Sequence, residues 1–292
     1  MDSNPNSSYP YTIHHEKLSL HLKIVDINSL FLHEETIPEA LEKLTAEIEK
    51  DNVVRHPIIV DESSFVVLDG MHRVAALKKL NCKRIPVCLV DYRNPSIMVG
   101  AWYRTIEDSE SIQEKLKKIE NFGFKLEKSE IKPNEIGKND VVAAIRTLEN
   151  SYLIHHSFEN LKEAYDYVKN IEEKLKQWNL KIGYETERDA LEKLEKGSVD
   201  GVLFTPKLEK EDIVKTALSG KVFAYKATRH IIPARPLYVN VPLKLLASTN
   251  LTLNQVNEEF KEMLTKKRLK RLPAGSLVEN RRYEEDVYLF ED

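Results

Sequence analysis

Apolar positions in the first third of the chain alternate between the spacings of strands and of helices. Residues 21–27 predict a strand, and a helix with one apolar face is predicted by four spaced residues, Ile37, Leu41, Leu44 and Ile48. Residues 57–60 and 65–68 are short β-rich runs, and the Asp-Glu-Ser-Ser between them predicts a hairpin. The second run stops at Asp69-Gly70, where a helix begins, and residues 85–90 supply the next strand. This order predicts a compact α/β unit.

A charged stretch at residues 107–110 interrupts the pattern. Ser111 and Glu114 have the spacing of a capping box for a following helix, which Gly123 would end. We therefore place a boundary between two domains near this stretch, so that the first covers residues 18–108 and the second residues 109–247.

The second domain is predicted to mix strands and helices. The strands are residues 141–148, 152–155, 201–204, 222–225 and 238–241. A long helix is predicted over 157–177, and two shorter ones begin at Thr186 and at Thr205-Pro206 and end at Gly197 and Gly220. This alternation predicts an α/β or α+β fold.

The two ends of the chain differ from the rest. Residues 1–17 predict a flexible tail, because Asn, Ser and Pro dominate the start of the chain. Residues 248–292 form a predicted extension, with a basic helix over 255–272 and a closing edge strand over 287–290. The basic residues 266–271 either bind an anionic partner or line a solvated helix face, and the nearby acidic residues favour the second reading.

Composition narrows the class of protein. The 292 residues include 44 Lys and Arg against 47 Asp and Glu, a net charge of −3, which argues against nucleic acid as the main partner. Hydrophobic residues make up 41%, yet no run reaches the roughly 18 apolar residues of a membrane span, so we expect a globular protein. The start lacks a signal pattern, which predicts a cytoplasmic location. Cys82 and Cys88 lack the spacing of a metal or redox motif and are predicted to be buried.

The turn at Asp69-Gly70-Met71-His72-Arg73 is the strongest candidate for chemistry. A strand ends, a glycine turns the backbone and a helix begins, so free N–H groups and the positive end of the helix dipole face one point. Arg73 and His72 add donors for phosphate oxygens, and Asp69 could hold Mg²⁺ or a hydroxyl. Further candidates are His33-Glu34, Arg55-His56 and the loop Thr228-Arg229-His230, which suits a carboxylate or a phosphate.

The order of these motifs resembles that of a known domain. Leu32-His33-Glu34, Arg55-His56-Pro57, the turn at residues 69–73 and Ile85-Pro86-Val87 resemble the ParB/sulfiredoxin-like domain. Together with Ala101-Trp102-Tyr103, Thr228-Arg229-His230 and Val241-Pro242-Leu243, the order is similar to that of the free L-serine kinases. That family includes an ADP-dependent archaeal enzyme and an ATP-dependent enzyme of a siderophore cluster.

The resemblance implies a fold and a reaction. The fold is an N-terminal ParB/sulfiredoxin-like nucleotide-binding domain and a second mixed α/β domain, with the active site in the cleft between them. The reaction is phosphorylation of L-serine to O-phospho-L-serine with ATP or ADP and Mg²⁺. Glu34 would be the general base, and Asp69 a second catalytic residue and Mg²⁺ ligand. The nucleotide would contact Arg55, His56, Asp69, Gly70, Met71, His72 and Arg73, and the amino acid Trp102, Thr228, Arg229 and His230.

Two relatives of this domain carry other activities. Sulfiredoxin chemistry needs a cysteine where this chain has Met71, and a thioether cannot form the covalent sulfur intermediate. ParB proteins carry a Gly-Glu-Arg-Arg type of motif and a helix-turn-helix, whereas this chain has a mixed α/β pattern after residue 108. A nucleotide-dependent DNA-binding or regulatory protein stays open as the alternative.

Overall fold

The computed structural model describes residues 9–107 and 112–292. The chain divides into two compact units, the first made of Met1–Met98, Ala217–Gly220 and His230–Asp292, the second of Val99–Thr216 and Lys221–Arg229. The predicted boundaries at residues 108 and 247 differ from this division. Buried Asn257 gives one reason, because its side chain bonds both the N–H (2.8 Å) and the C=O (2.9 Å) of Ile24 and so ties the C-terminal segment to the first sheet.

The first unit begins with a five-stranded sheet and two helices. The elements in chain order are β1 (Tyr11–His15), β2 (Leu18–Asp26), α1 (Pro38–Asp51), β3 (Val53–Val54), β4 (Ile58–Asp61), β5 (Val67–Asp69), α2 (Met71–Lys79) and β6 (Arg84–Val90). The strand order is β1-β2-β6-β4-β5, and the hairpin predicted at residues 57–68 is the antiparallel pair β4 and β5. The predicted tail instead contains strand β1, which pairs antiparallel with β2.

The middle of the chain contains the elements β7 (Met98–Gly100), β8 (Tyr103–Glu107), α3 (Ile112–Ile119), β9 (Lys125–Lys128), β10 (Val141–Arg146), β11 (Ser151–His155), α4 (Leu161–Gln177), β12 (Lys181–Glu185), α5 (Glu187–Glu195), β13 (Gly201–Phe204) and α6 (Lys210–Leu218). Six of the strands form a sheet in the order β12-β8-β13-β10-β11-β9, and each neighbouring pair is antiparallel. This confirms a mixed α/β second domain.

Side-chain caps start two of these helices, α4 and α5. Thr186 accepts a hydrogen bond from the N–H of Asp189, as its spacing predicts, and starts α5. Helix α4 starts later than predicted, because Asn160 rather than Ser157 provides the cap by accepting from Glu163 N–H. Helix α6 begins at Lys210 rather than at Thr205-Pro206. The predicted capping residue Ser111 lies outside the described residues.

The rest of the chain contains the elements β14 (Arg229–Ile231), β15 (Ala234–Leu237), β16 (Val241–Pro242), α7 (Leu243–Ala247), α8 (Leu253–Thr265), β17 (Arg268–Leu272), β18 (Leu277–Val278), β19 (Arg281–Arg282) and β20 (Asp286–Glu291). Four predictions were wrong here. The basic run forms strand β17 rather than a continuous helix, β20 lies in the middle of the sheet β15-β20-β17 rather than at its edge, and residues 222–225 form no strand. Residues 238–241 are likewise not one strand, since β15 ends before them and β16 begins at Val241.

Both faces of the second unit's sheet are covered. Val142 and Ile145 of β10 pack in a cluster with α3 and α4, whereas Val141 and Ala144 pack in a cluster with α5. Alternate side chains of a strand point to opposite faces, and the irregularity in register between Val141 and Ala143 adds one residue to this alternation, so one strand serves both clusters. Cys82 and Cys88 are buried and free in the first unit, as predicted.

Candidate active site

The turn between β5 and α2 has the geometry that the sequence predicts. Gly70 lies at the N-terminal end of α2 with φ +110°, in the region that favours glycine. A Cβ on Gly70 would lie 2.4 Å from Cγ2 of Ile58, so any other residue would clash there. Gly70 has no side chain that could cap the first N–H groups of α2, and N–H groups at the start of a helix can bind an anion.

Asp69 lies between two arginines at this turn. Its Oδ2 accepts hydrogen bonds from Arg73 Nη2 at 2.8 Å and from Arg235 Nη1 at 3.1 Å. Although burial opposes ionisation, the two guanidinium groups hold the pKa of Asp69 well below its usual range. These contacts fit a residue that positions the arginines. Both arginines bond the same carboxylate oxygen, Oδ2, and the role of Asp69 as a Mg²⁺ ligand stays a prediction.

His56 and Arg55 lie at the entry to β4. Burial, reinforced by the positive charges of nearby arginines, lowers the pKa of His56 to about 3, so the ring is neutral at physiological pH. Its Nδ1 accepts a hydrogen bond from the Tyr238 N–H at 3.1 Å, and its carbonyl accepts one from Arg73 Nη1 at 3.2 Å. Arg55 is about half exposed and pairs with Asp51 at 2.8 Å and Glu279 at 3.7 Å. His56 therefore belongs to the site more closely than Arg55.

The segment that carries Glu34 runs beside β5. Val67 N–H donates to the carbonyl of Phe31 at 2.9 Å, and His33 Nδ1 donates to the carbonyl of Val67 at 2.7 Å. Burial lowers the pKa of His33, and its Nε2 lies 4.0 Å from Oε1 of Glu34. Glu34 is 8% exposed. The strand that leads into the Asp69-Gly70 turn thus also positions the candidate base.

His72 makes a backbone contact that the sequence did not predict. Its Nε2 accepts a hydrogen bond from the Ile37 N–H at 2.9 Å, so this nitrogen is committed to the backbone rather than to a phosphate. The bond ties the first turn of α2 to the segment three residues after Glu34. Met71, the first residue of α2, is half-buried.

His230 lies close to His33 and Tyr92, although it is distant from both in the sequence. Its Nε2 lies 2.8 Å from the hydroxyl of Tyr92, and its ring lies 5.3 Å from the ring of His33 in an edge-to-face arrangement. The first unit therefore brings together Glu34, His33 and His230, which the sequence placed in separate motifs.

Trp102 and the loop of residues 226–229 meet in the second unit. The Lys226 Nζ lies 4.5 Å and the Arg229 guanidinium 5.7 Å from the centre of the indole ring, within the range of cation–π contacts. Thr228 is buried. Three of the four predicted amino-acid-site residues, Trp102, Thr228 and Arg229, therefore lie in this unit and His230 in the first.

Buried Arg104 connects these two segments, which the sequence did not predict. Its Nη1 donates to the carbonyl of Trp102 at 2.7 Å and to that of Lys226 at 3.1 Å. Its Nε donates to Oε1 of Glu172 at 2.5 Å, and the other oxygen of Glu172 accepts from the Tyr184 hydroxyl at 2.7 Å. The ion pair of Arg104 and Glu172 is fully buried. The guanidinium is therefore held in place and fixes the carbonyls of Trp102 and Lys226.

Further cations line the pocket beside His56 and Arg73. Arg235, Arg281 and Tyr283 complete its wall, together with Pro57, Ile59, Pro236 and Leu237. The sequence did not indicate these residues, because more than 160 positions separate Arg73 from Arg235 and no local motif marks them. A separate finding concerns membranes: among the described residues, no helix has both the length and the apolar character needed to cross a bilayer.

The chain is similar in sequence to known proteins. No family model matches the chain. An ATP-dependent L-serine kinase from Staphylothermus marinus is 32% identical over 234 residues, which cover 76% of this chain and 90% of that protein. An ADP-dependent L-serine kinase from Thermococcus kodakarensis is 25% identical over 229 residues, 76% of this chain and 91% of that protein.

Structural similarity extends over the same share of the chain. A solved structure of free serine kinase in complex with AMP has a TM-score of 0.67 at 23% identity and covers 81% of this chain and 97% of that one. A ParB-like protein from Sulfolobus acidocaldarius is 35% identical over 96 residues, 33% of this chain and 48% of that protein. The predicted combination of a ParB-like domain with a second α/β domain is confirmed.

Proposed function

Since the chain belongs to the L-serine kinase family, we propose that it transfers the terminal phosphoryl group of ATP or ADP to free L-serine. The product is O-phospho-L-serine. One observation carries the proposal: the hydrogen bond from Ile37 N–H to His72 joins the segment of Glu34 to the first turn of α2. A candidate base and a candidate phosphate site therefore lie on adjoining parts of one unit.

Glu34 is proposed as the general base. The serine hydroxyl oxygen attacks the terminal phosphorus, its proton passes to the Glu34 carboxylate, and the bond from phosphorus to the bridging oxygen breaks to release ADP or AMP. An alcohol is a weak nucleophile at neutral pH, and a positioned carboxylate contributes typically about 10² to 10⁴-fold. The near-complete burial of Glu34 supports this role, because it keeps the carboxylate in one place.

The nucleotide phosphates are proposed to bind at the β5–α2 turn. The N–H groups at the start of α2 and the guanidinium of Arg73 supply donors, and Gly70 lets the backbone approach closely. Asp69 holds Arg73 and Arg235 in position. Mg²⁺ on the nucleotide supplies further neutralisation of the phosphate charge, and phosphoryl transfer consists largely of such neutralisation and of positioning.

The amino acid is proposed to bind through Trp102, Thr228, Arg229 and His230. Arg229 suits the carboxylate of serine, because a guanidinium can donate two parallel hydrogen bonds to it. Trp102 holds the cations of the loop against its ring and limits the space for the side chain. Arg104 positions Trp102 and the loop that begins at Lys226, because its guanidinium donates hydrogen bonds to the carbonyls of both residues.

A direct assay tests the proposal. The protein is incubated with L-serine, Mg²⁺ and either ATP or ADP, and O-phospho-L-serine is measured by mass spectrometry. Formation of the product with one of the donors is expected, whereas its absence with both donors would overturn the proposal. L-Threonine and D-serine in parallel reactions define the acceptor.

The alternative, a nucleotide-dependent DNA-binding protein, was favoured by the ParB-like N-terminal domain and by the basic run, and the second of these features is weakened. The basic residues of the run lie on and beside β17 and pair with acidic residues: Lys267 with Asp292, Lys270 with Glu291 at 3.4 Å, and Arg271 with Asp286. Neutralised cations of this kind contribute little to phosphate binding. DNA binding that depends on CTP and persists at physiological salt would restore the alternative.

A further inference from the structure

The short hairpin near the C-terminus presents one arginine to the pocket beside α2. Strands β18 and β19 pair Leu277 with Arg282 and Val278 with Arg281. Neighbouring residues of a strand point to opposite faces, so Arg281 and Arg282 separate. Both arginines are exposed, but Arg281 lines the pocket with His56, Arg73 and Arg235 and Arg282 does not.

The charge of Arg281 is not balanced by a carboxylate. Arg73 and Arg235 both donate to Asp69, and Arg235 also pairs with Glu285. Within residues 9–107 and 112–292, the guanidinium of Arg281 has no ion pair and stacks on the ring of Tyr283 at 4.7 Å. The pocket therefore has three guanidinium groups against two carboxylates.

The neighbouring groups do not offset this charge. His56 is neutral, since burial and the positive charges of Arg73, Arg55, Arg235 and Arg281 lower its pKa to about 3. A pocket lined by three arginines and a neutral histidine attracts an anion. The pocket is narrow, about 30 Å³, room for one or two water-sized groups, so it admits phosphate oxygens but no nucleobase.

We propose that Arg281 binds the anionic end of the nucleotide and so adds a phosphate-binding residue from the C-terminal hairpin. The inference rests on the proposed function, because it places the phosphates at the β5–α2 turn that Arg73 adjoins. Its ligand chemistry is a nucleoside di- or triphosphate, recognised through terminal phosphate oxygens. The ring of Tyr283 packs against the guanidinium of Arg281.

Substitution of the two neighbouring arginines tests this inference. Arg281→Gln and Arg282→Gln each remove one positive charge from the same hairpin. They differ in that only Arg281 lines the pocket. Binding of ADP, ATP and adenosine to each variant is measured by calorimetry. We expect Arg281→Gln to weaken ADP and ATP binding about tenfold or more and to leave adenosine binding within about twofold, because a charge-assisted hydrogen bond is lost. Arg282→Gln should bind all three like the unsubstituted protein.

Kinetics give a second readout. In Arg281→Gln the KM for the nucleotide should rise about tenfold while the KM for L-serine changes less than about twofold, and Arg281→Lys should recover part of the loss. Equal behaviour of Arg281→Gln and Arg282→Gln, or equal weakening of ADP and adenosine, would overturn the inference. The binding measurement does not need catalysis, so a protein that binds nucleotide but makes no phosphoserine would contradict the proposed function and still test Arg281.

Discussion

Arg104 and Glu172 form a fully buried ion pair in the second unit, with 2.5 Å between Nε of the arginine and Oε1 of the glutamate. The glutamate comes from α4 and the arginine from β8, 68 residues apart. Because the same guanidinium bonds the carbonyls of Trp102 and Lys226, the pair connects the core of this unit to the proposed amino-acid site.

Removing Arg104 should be costly. Arg104→Met leaves Glu172 buried without its cation, so we expect a loss of about 3–5 kcal/mol in the free energy of unfolding. The double variant Arg104→Met/Glu172→Met should recover part of this loss, because no buried charge remains. Urea denaturation measures both. Arg93→Met is the control, since its pair with Asp91 is exposed and should contribute less than about 1 kcal/mol.

Gly70 should tolerate no side chain. Gly70→Ala places a Cβ at 2.4 Å from Cγ2 of Ile58 and keeps φ at +110°, so we expect a loss of about 1–3 kcal/mol in stability and weaker nucleotide binding. Gly220→Ala is the matched control, because Gly220 also has a positive φ, +73°, but nothing lies within 4 Å of a Cβ there. Thermal unfolding with and without ADP compares the two. Equal losses in both variants would show that backbone strain alone explains the effect.

Acid should destabilise the first unit through His56. The folded pKa of about 3 lies below the ordinary value of 6.5, so the unfolded chain takes up the proton first. Stability is therefore fully present above about pH 6.5 and is lost as the pH falls toward 3. Buried His33 acts in the same direction, and ionised Asp69 adds a loss below about pH 4.

Denaturation midpoints at pH 7.5, 6, 5 and 4 measure this slope. His56→Gln should make the slope shallower, because glutamine has no proton to take up. The exposed His14→Gln is the control and should leave it unchanged. A slope that is identical in His56→Gln and the unsubstituted protein would show that His56 does not contribute.

The parts of the fold that the sequence predicted depend on local signals. The Asp69-Gly70 turn, the Thr186 cap and the stops at Gly123 and Gly197 all lie within a few residues of the element that they define. The errors depend on pairing between distant residues. Residues 268–272 were predicted as the end of a basic helix, yet they pair with strand β20. No residue near them in the sequence indicates this pairing.

The residues of the candidate site also separate into those that local motifs indicate and those that depend on distant contacts. Glu34, His56 and the residues of the turn were predicted from short motifs. Arg104, Arg235 and Arg281 were not, because their roles arise from contacts with residues more than 65 positions away, such as Arg235 with Asp69 and Arg104 with Glu172. The role of His72 could not be predicted either, since its bond to Ile37 exists only in the folded unit.

The most direct test of the account compares Glu34→Gln with Glu35→Gln in the phosphoserine assay. Glutamine has nearly the same shape as glutamate but cannot take the proton of the serine hydroxyl. We predict that Glu34→Gln lowers kcat by about 10² or more, with the Kd for nucleotide within about twofold, and that Glu35→Gln retains activity. Phosphoserine formation at the same rate in Glu34→Gln and the unsubstituted protein would contradict the assignment of Glu34 as the base.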